Sequence, residues 1–138
     1  MLMKKDQLSQ LLEAARQTAL HSYSPYSHFR VGAALLTEDG RTITGTNVEN
    51  RSYGLGICAE RSAVVRAVSE GFRSFVAVAI YAADAEEPVS PCGACRQVLS
   101  EFMTPDAPVV FASPSGIEHH TLGELLPFDA MHDFKNTR

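Results

Sequence analysis

Cysteine is scarce in this 138-residue chain, and its count of three is odd. So few unpaired thiols exclude the disulfide framework of a small secreted domain and suit a reducing compartment, where thiols stay free to bind metal. Long apolar runs are also missing, and the opening Met1-Leu2-Met3-Lys4-Lys5-Asp6 passes into an amphipathic helix pattern rather than a signal-peptide core. A cytoplasmic protein without membrane attachment is expected. Positive charge is not in excess: the formal net charge is −4, which provides no broad cationic surface for a phosphate backbone. That balance disfavours a nucleic-acid partner and favours a small, weakly charged ligand. Nor is there a low-complexity tract, a fixed-period repeat or a Pro/Ser-rich linker, so the chain is expected to fold as a single domain over 1–138.

What is present alternates between two periodicities. Leu8, Leu11, Leu12, Ala15 and Ala19 recur at helical spacing and predict an amphipathic helix over 6–22. Ser24-Pro25-Tyr26-Ser27 reads as a turn, Phe29 to Leu36 as a strand, and Glu38-Asp39-Gly40 as the bend to a returning strand over 41–48. Asn47 and Glu49, two apart in that strand, would share a face. A helix is expected from Cys58 to Gly71, a buried strand over Phe75–Ala82, and a second helix from Cys92 to about Phe102. Val109-Val110-Phe111 predicts a further strand, Ser115-Gly116 a turn, and Thr121 to Leu125 a short helix. Alternating strands and helices around one sheet give an α/β class.

Chemistry concentrates in Cys58-Ala59-Glu60 and Pro91-Cys92-Gly93-Ala94-Cys95. Cys92-x-x-Cys95 alone fits a redox dithiol or half a structural zinc knuckle equally well. A knuckle needs a second ligand pair, and His21, His28, His119, His120 and His132 form no H-x3-5-H spacing. Three thiols beside a carboxylate instead suit catalytic zinc, which takes three protein ligands and keeps a fourth position open. This is the ligand pattern of zinc deaminases, in which a His or Cys two residues before a non-ligand Glu is followed by P-C-x-x-C. Glu60 would then serve as general acid and base, although a first-turn Glu complementing a helix dipole explains it equally when taken alone. Arg61 is a candidate donor to thiolate sulfur that would tune the metal; the alternative is a solvated helix arginine.

Taken together, Ser24-Pro25-Tyr26-Ser27-His28-Phe29-Arg30-Val31-Gly32-Ala33-Ala34-Leu35, Asn47-Val48-Glu49-Asn50, Tyr53 to Arg61, Ser90 to Val98 and Glu124-Leu125-Leu126-Pro127 resemble the small homotetrameric cytidine deaminases. The resemblance implies a three-layer α-β-α sandwich with a mixed sheet of about five strands. It implies one Zn²⁺ per subunit on Cys58, Cys92 and Cys95, with Glu60 as proton shuttle. It further implies that Phe29 lines the nucleoside pocket, that the Ala59 backbone meets the pyrimidine edge, and that Asn47 and Glu49 bind ribose hydroxyls. Tyr53 would enter a neighbouring subunit's site. The reaction implied is hydrolytic deamination of cytidine and deoxycytidine in pyrimidine salvage, by a homotetramer whose sites are shared across interfaces.

Two positions depart from the family pattern. Ala130 stands where that pattern has a Phe three residues after Leu-Leu-Pro, which leaves Phe128, then Phe134, as the aromatic that stacks on the base. Arg51 is bulkier than the residue expected there. Competing readings are a deaminase of another aminopyrimidine nucleoside such as blasticidin S, a polynucleotide-editing deaminase, and a zinc-stapled interaction module without catalysis.

Overall fold

The structure is a computed structural model, of which residues 5–131 are described. Helix α1 (Lys5–Ala19) is followed by strands β1 (Val31–Thr37) and β2 (Thr42–Thr46), helix α2 (Ala59–Ser69) and strand β3 (Phe75–Ala82). Helix α3 (Gly93–Ser100), strands β4 (Pro108–Ser113) and β5 (Gly116–Thr121) and the short helix α4 (Leu122–Leu125) complete the order. The five strands make one mixed sheet, β2-β1-β3-β4-β5, in which only β3 and β4 run parallel. A parallel pair needs a crossover, and α3 supplies it between β3 and β4.

Strand alternation divides the core into two layers. Ala33 and Leu35 of β1 and Val78 and Ile80 of β3 face Ala63, Val64 and Ala67 of α2 and Leu99 of α3. Their neighbours Ala34, Leu36, Ala77 and Ala79 face Leu11 and Ala15 of α1. The sheet therefore lies between α1 on one side and α2 and α3 on the other, the expected three-layer α-β-α sandwich. Both central strands are buried on both faces, which is why they read as near-continuous apolar runs.

The helices come unusually near the sheet at two glycines. A Cβ on Gly32 would sit 2.1 Å from the Ala15 carbonyl oxygen of α1, and one on Gly45 would sit 2.3 Å from the Ala63 nitrogen of α2. Backbone meets backbone at both points, so no side chain can move aside to make room.

Several element limits differ from the sequence expectation. Helix α1 stops at Ala19, because Leu20, His21 and Ser22 donate to carbonyls three residues back and tighten the chain into a turn. The β1 ladder begins at Val31, since the Phe29 amide donates to Ser27 Oγ and the Arg30 amide to Asp84. Strand β2 ends at Thr46, and Val48 makes only isolated bridges to Tyr23 and Ile57. Cys58 and Cys92 are N-caps preceding α2 and α3 rather than their first helical residues. Strand β5 was not expected: it is a largely exposed edge strand, so its sequence shows no apolar alternation.

Gly32→Ala is expected to destabilise the fold by about 1–3 kcal/mol or more, the usual range for overpacking. Gly54→Ala, where a Cβ meets nothing within 4 Å, should change stability by under about 0.5 kcal/mol. Equilibrium denaturation of the two variants checks the contrast.

Candidate metal centre

Two helix N-termini bring the cysteines together. Cys58 caps α2 and Cys92 caps α3, both in extended backbone conformation, and Cys95 lies in the first turn of α3. The partial positive charge of a helix start favours thiolate over thiol. The Sγ atoms of Cys58 and Cys92 are 3.9 Å apart, those of Cys92 and Cys95 are 3.4 Å apart, and all three lie within 4.8 Å of one another. Thiolates held at about 2.3 Å by a tetrahedral zinc would be about 3.8 Å apart, so the donor set fits that ion. Among the described residues no other group of three or more metal-ligating side chains is drawn together.

Neighbouring groups set the charge of the cluster. The Arg61 guanidinium donates from Nη2 to Cys58 Sγ at 3.3 Å, so the contact expected of Arg61 is present, while its Nε is buried without a partner. Hydrogen bonding to Cys95, and then to Arg61, pulls the Cys58 thiol down to about 5 against the opposing effect of burial. The same Cys58 contact, together with burial, pushes the Cys95 thiol up, so Cys58 ionises first. Glu60 is only 5% exposed, and desolvation raises its carboxyl above the ordinary range. A carboxyl whose neutral form is favoured in this way can return a proton as well as take one.

These groups open onto a cavity of about 220 Å³ at the carboxyl end of β3. Phe29, Asn47, Ala59, Glu60 and the sulfurs' residues Cys58 and Cys92 line it, with Val31, Ile80, Ala82, Val89 and Ser90 as further walls. Sequence reasoning brings the first six to one site; the β3 and Val89–Ser90 walls become visible only in the fold. Their one advance signal is that the cleft lies where an α/β sheet commonly binds ligands, at strand carboxyl ends.

The polar pair expected on one strand face is divided. Asn47 lines the cysteine cavity, whereas Glu49 lines an adjoining hollow of about 420 Å³ with Tyr26, Ser27, Asn50, Tyr53 and Gly56. Regular pairing stops at Thr46, so strand alternation no longer fixes the two side chains. The Glu49 carboxylate is held by the Ser27 hydroxyl and by the amides of Tyr26 at 3.0 Å and Ser27 at 3.2 Å, and these donors depress its pKa. Tyr53 packs edge-on against Tyr26 at 5.9 Å between ring centroids yet is 81% exposed. Phe128 is 93% exposed and does not line the cysteine cavity. Phe134 lies outside the described residues.

Arg96, beside the ligand Cys95, carries no signal of its importance in the sequence. Its guanidinium donates to the Pro91 carbonyl at 2.8 Å, to Ser90 Oγ at 3.0 Å and to the Leu125 carbonyl at 2.7 Å. The loop entering Cys92 and the end of α4 are thereby tied to one side chain.

Comparison with known proteins places this geometry. Residues 5–112 match the cytidine and deoxycytidylate deaminase zinc-binding region. Cytidine deaminase of Halalkalibacterium halodurans is 51% identical over 118 residues, covering 85% of this chain and 89% of that protein. Its counterpart from Sporosarcina psychrophila is 49% identical over 121 residues, covering 87% and 88%. The crystal structure of cytidine deaminase from Burkholderia pseudomallei matches with a TM-score of 0.82 at 44% identity, over 91% of this chain and 98% of that one. The three-sulfur cluster thus fits one zinc ion per chain.

Elemental analysis after dialysis should find about one zinc per chain, and well below that in Cys92→Ala. Zinc added to the metal-stripped parent protein should raise its melting temperature, with about 2.7 kcal/mol of stabilisation at a hundredfold excess over Kd, but not that of the variant.

Proposed function

Because the chain belongs to the cytidine and deoxycytidylate deaminase family, we propose that it hydrolyses cytidine and deoxycytidine to uridine and deoxyuridine with release of ammonia. The observation that carries this reading is the buried Glu60 carboxyl on a small, mostly apolar cavity beside a cluster that fits zinc. When bound, zinc supplies Lewis acidity and so a nucleophile from water at neutral pH.

The chain's own residues do the rest. Glu60 takes a proton from the nucleophile and passes it to the pyrimidine ring nitrogen. It then takes that water's second proton from the hydroxyl now on the ring carbon and delivers it to the departing amine as the C–N bond breaks, so one water is consumed, a carbonyl is left and one ammonia is released. Burial favours its neutral form, which readies the carboxyl to give the proton back. Arg61, donating to Cys58, withdraws charge from a thiolate set that would otherwise blunt the metal.

Phe29 forms the aromatic wall of the cavity and excludes water from the base. The Ala59 backbone, fully buried at the start of α2, meets the pyrimidine edge. Asn47 and Glu49 bind the sugar hydroxyls from the two adjoining hollows.

Tyr53 and Phe128, exposed on the isolated protomer, complete a neighbouring subunit's site in a homotetramer. The pathway position is pyrimidine salvage and the compartment cytoplasmic, in keeping with free cysteines and a nucleoside substrate.

Glu60→Gln should lower kcat by about 10²–10⁴, the range for a lost general acid-base, with zinc content and melting temperature retained. An absorbance assay on both nucleosides reads it, and full activity in this variant would sink the assignment. Phe128→Ala should raise KM for cytidine while leaving zinc content intact; an unchanged KM would remove Phe128 from the site.

A further inference from the structure

Asn47 has two acceptor lone pairs on Oδ1 and two N–H donors on Nδ2. Oδ1 accepts from the Val31 amide at 2.9 Å and from the Ser22 hydroxyl at 2.5 Å, and Nδ2 donates to the Phe29 carbonyl at 2.7 Å. Subtraction leaves a single unused valence, one N–H, on a side chain that lines the cavity with Glu60 and Cys58. The Val31 amide and Phe29 carbonyl decide which end of the carboxamide is oxygen. Ser22 fills the remaining lone pair.

Ser22 is well held for this task. Its amide donates to the Ala19 carbonyl at the end of α1, and the next amide, that of Tyr23, donates to the Asn47 carbonyl. The Ser22 hydroxyl also lies 3.1 Å from Ser24 Oγ and 3.4 Å from the Asn47 carbonyl oxygen, but its one proton goes to the shortest contact.

We propose that Ser22 is a positioning residue: by saturating Asn47 Oδ1 it makes Asn47 a donor only, so the cavity selects nucleosides that present a sugar hydroxyl oxygen as acceptor. The proposal rests on the reading of Asn47 as a sugar ligand. A hydroxyl that accepts from Asn47 keeps its own proton free to donate elsewhere. Sugars lacking hydroxyls leave the Asn47 N–H unpaired, a loss the site feels because the amide is already locked in place.

The test compares cytidine with 2′,3′-dideoxycytidine in the parent, Ser22→Ala and Ser22→Thr, with melting temperatures as the fold control. In Ser22→Ala, kcat/KM for cytidine should fall roughly three- to tenfold, mainly through KM, the size of one hydrogen bond. The value for dideoxycytidine should change less than about twofold, and Ser22→Thr, which keeps a hydroxyl, should recover the preference. Titration calorimetry with uridine and dideoxyuridine should show the same ordering in Kd. Equal losses on both sugars, or no loss on either, would overturn the role given to Ser22. A parent that treats the two sugars alike would instead remove the sugar reading of Asn47, and the Ser22 proposal with it.

Discussion

Everything at this centre depends on two helices starting at the same point in space. Each helix start leaves unpaired N–H groups and partial positive charge, and each is capped by a cysteine rather than by the Ser, Thr, Asp or Asn usual at that position. Cys92 acts as a cap in the ordinary sense, accepting the Cys95 amide at 3.4 Å, whereas Cys58 makes no such bond and takes its donor from Arg61. Cys58 is thus favoured as an anion with the Arg61 guanidinium beside it, and Cys92 faces a backbone donor, an arrangement suited to a divalent cation. Glu60, two residues beyond Cys58 and the second residue of α2, is buried at the same junction.

Close approach of the layers makes that junction possible. At the α2 interface Ala63 meets Gly45, with Ala59 and Ala67 buried in the same core, and at the α1 interface Ala15 and Ala19 meet Gly32. Small residues let helix backbones rest almost on the sheet, and Ala59 and Glu60 in the first turn of α2 share a cavity wall with Ile80 and Ala82 of β3. A core of larger side chains would hold the same elements further apart and open the cavity to solvent.

The strongly buried elements are the ones legible in the sequence. Phe75–Ala82 coincides with β3 because a strand covered on both faces has little choice but to be apolar throughout. The cysteines and Glu60 stand out by chemical type and spacing, whereas Phe29 and Asn47 enter through the family resemblance, and all but Cys95 line one cavity. Strand β5 is not, because Glu118, His119 and His120 on an exposed edge follow no hydrophobic period; His120 is placed by stacking on Phe111 and by Glu118 and Glu124. The start of α4 had a usable signal in Thr121-x-x-Glu124, whose two side chains form a reciprocal capping box. Ser22 and Arg96 had none, since the first meets Asn47 across 25 positions and the second meets Leu125 across 29. Contacts of that range belong to topology, and a single sequence does not contain them in readable form.

The Arg96 fork gives the molecule an unusual internal wiring. One cation holds a carbonyl on the approach to Cys92 and a carbonyl at the close of α4, two stretches separated by a strand pair. A change at the close of α4 is therefore transmitted through one side chain to the approach to Cys92, which lies far from it in the sequence.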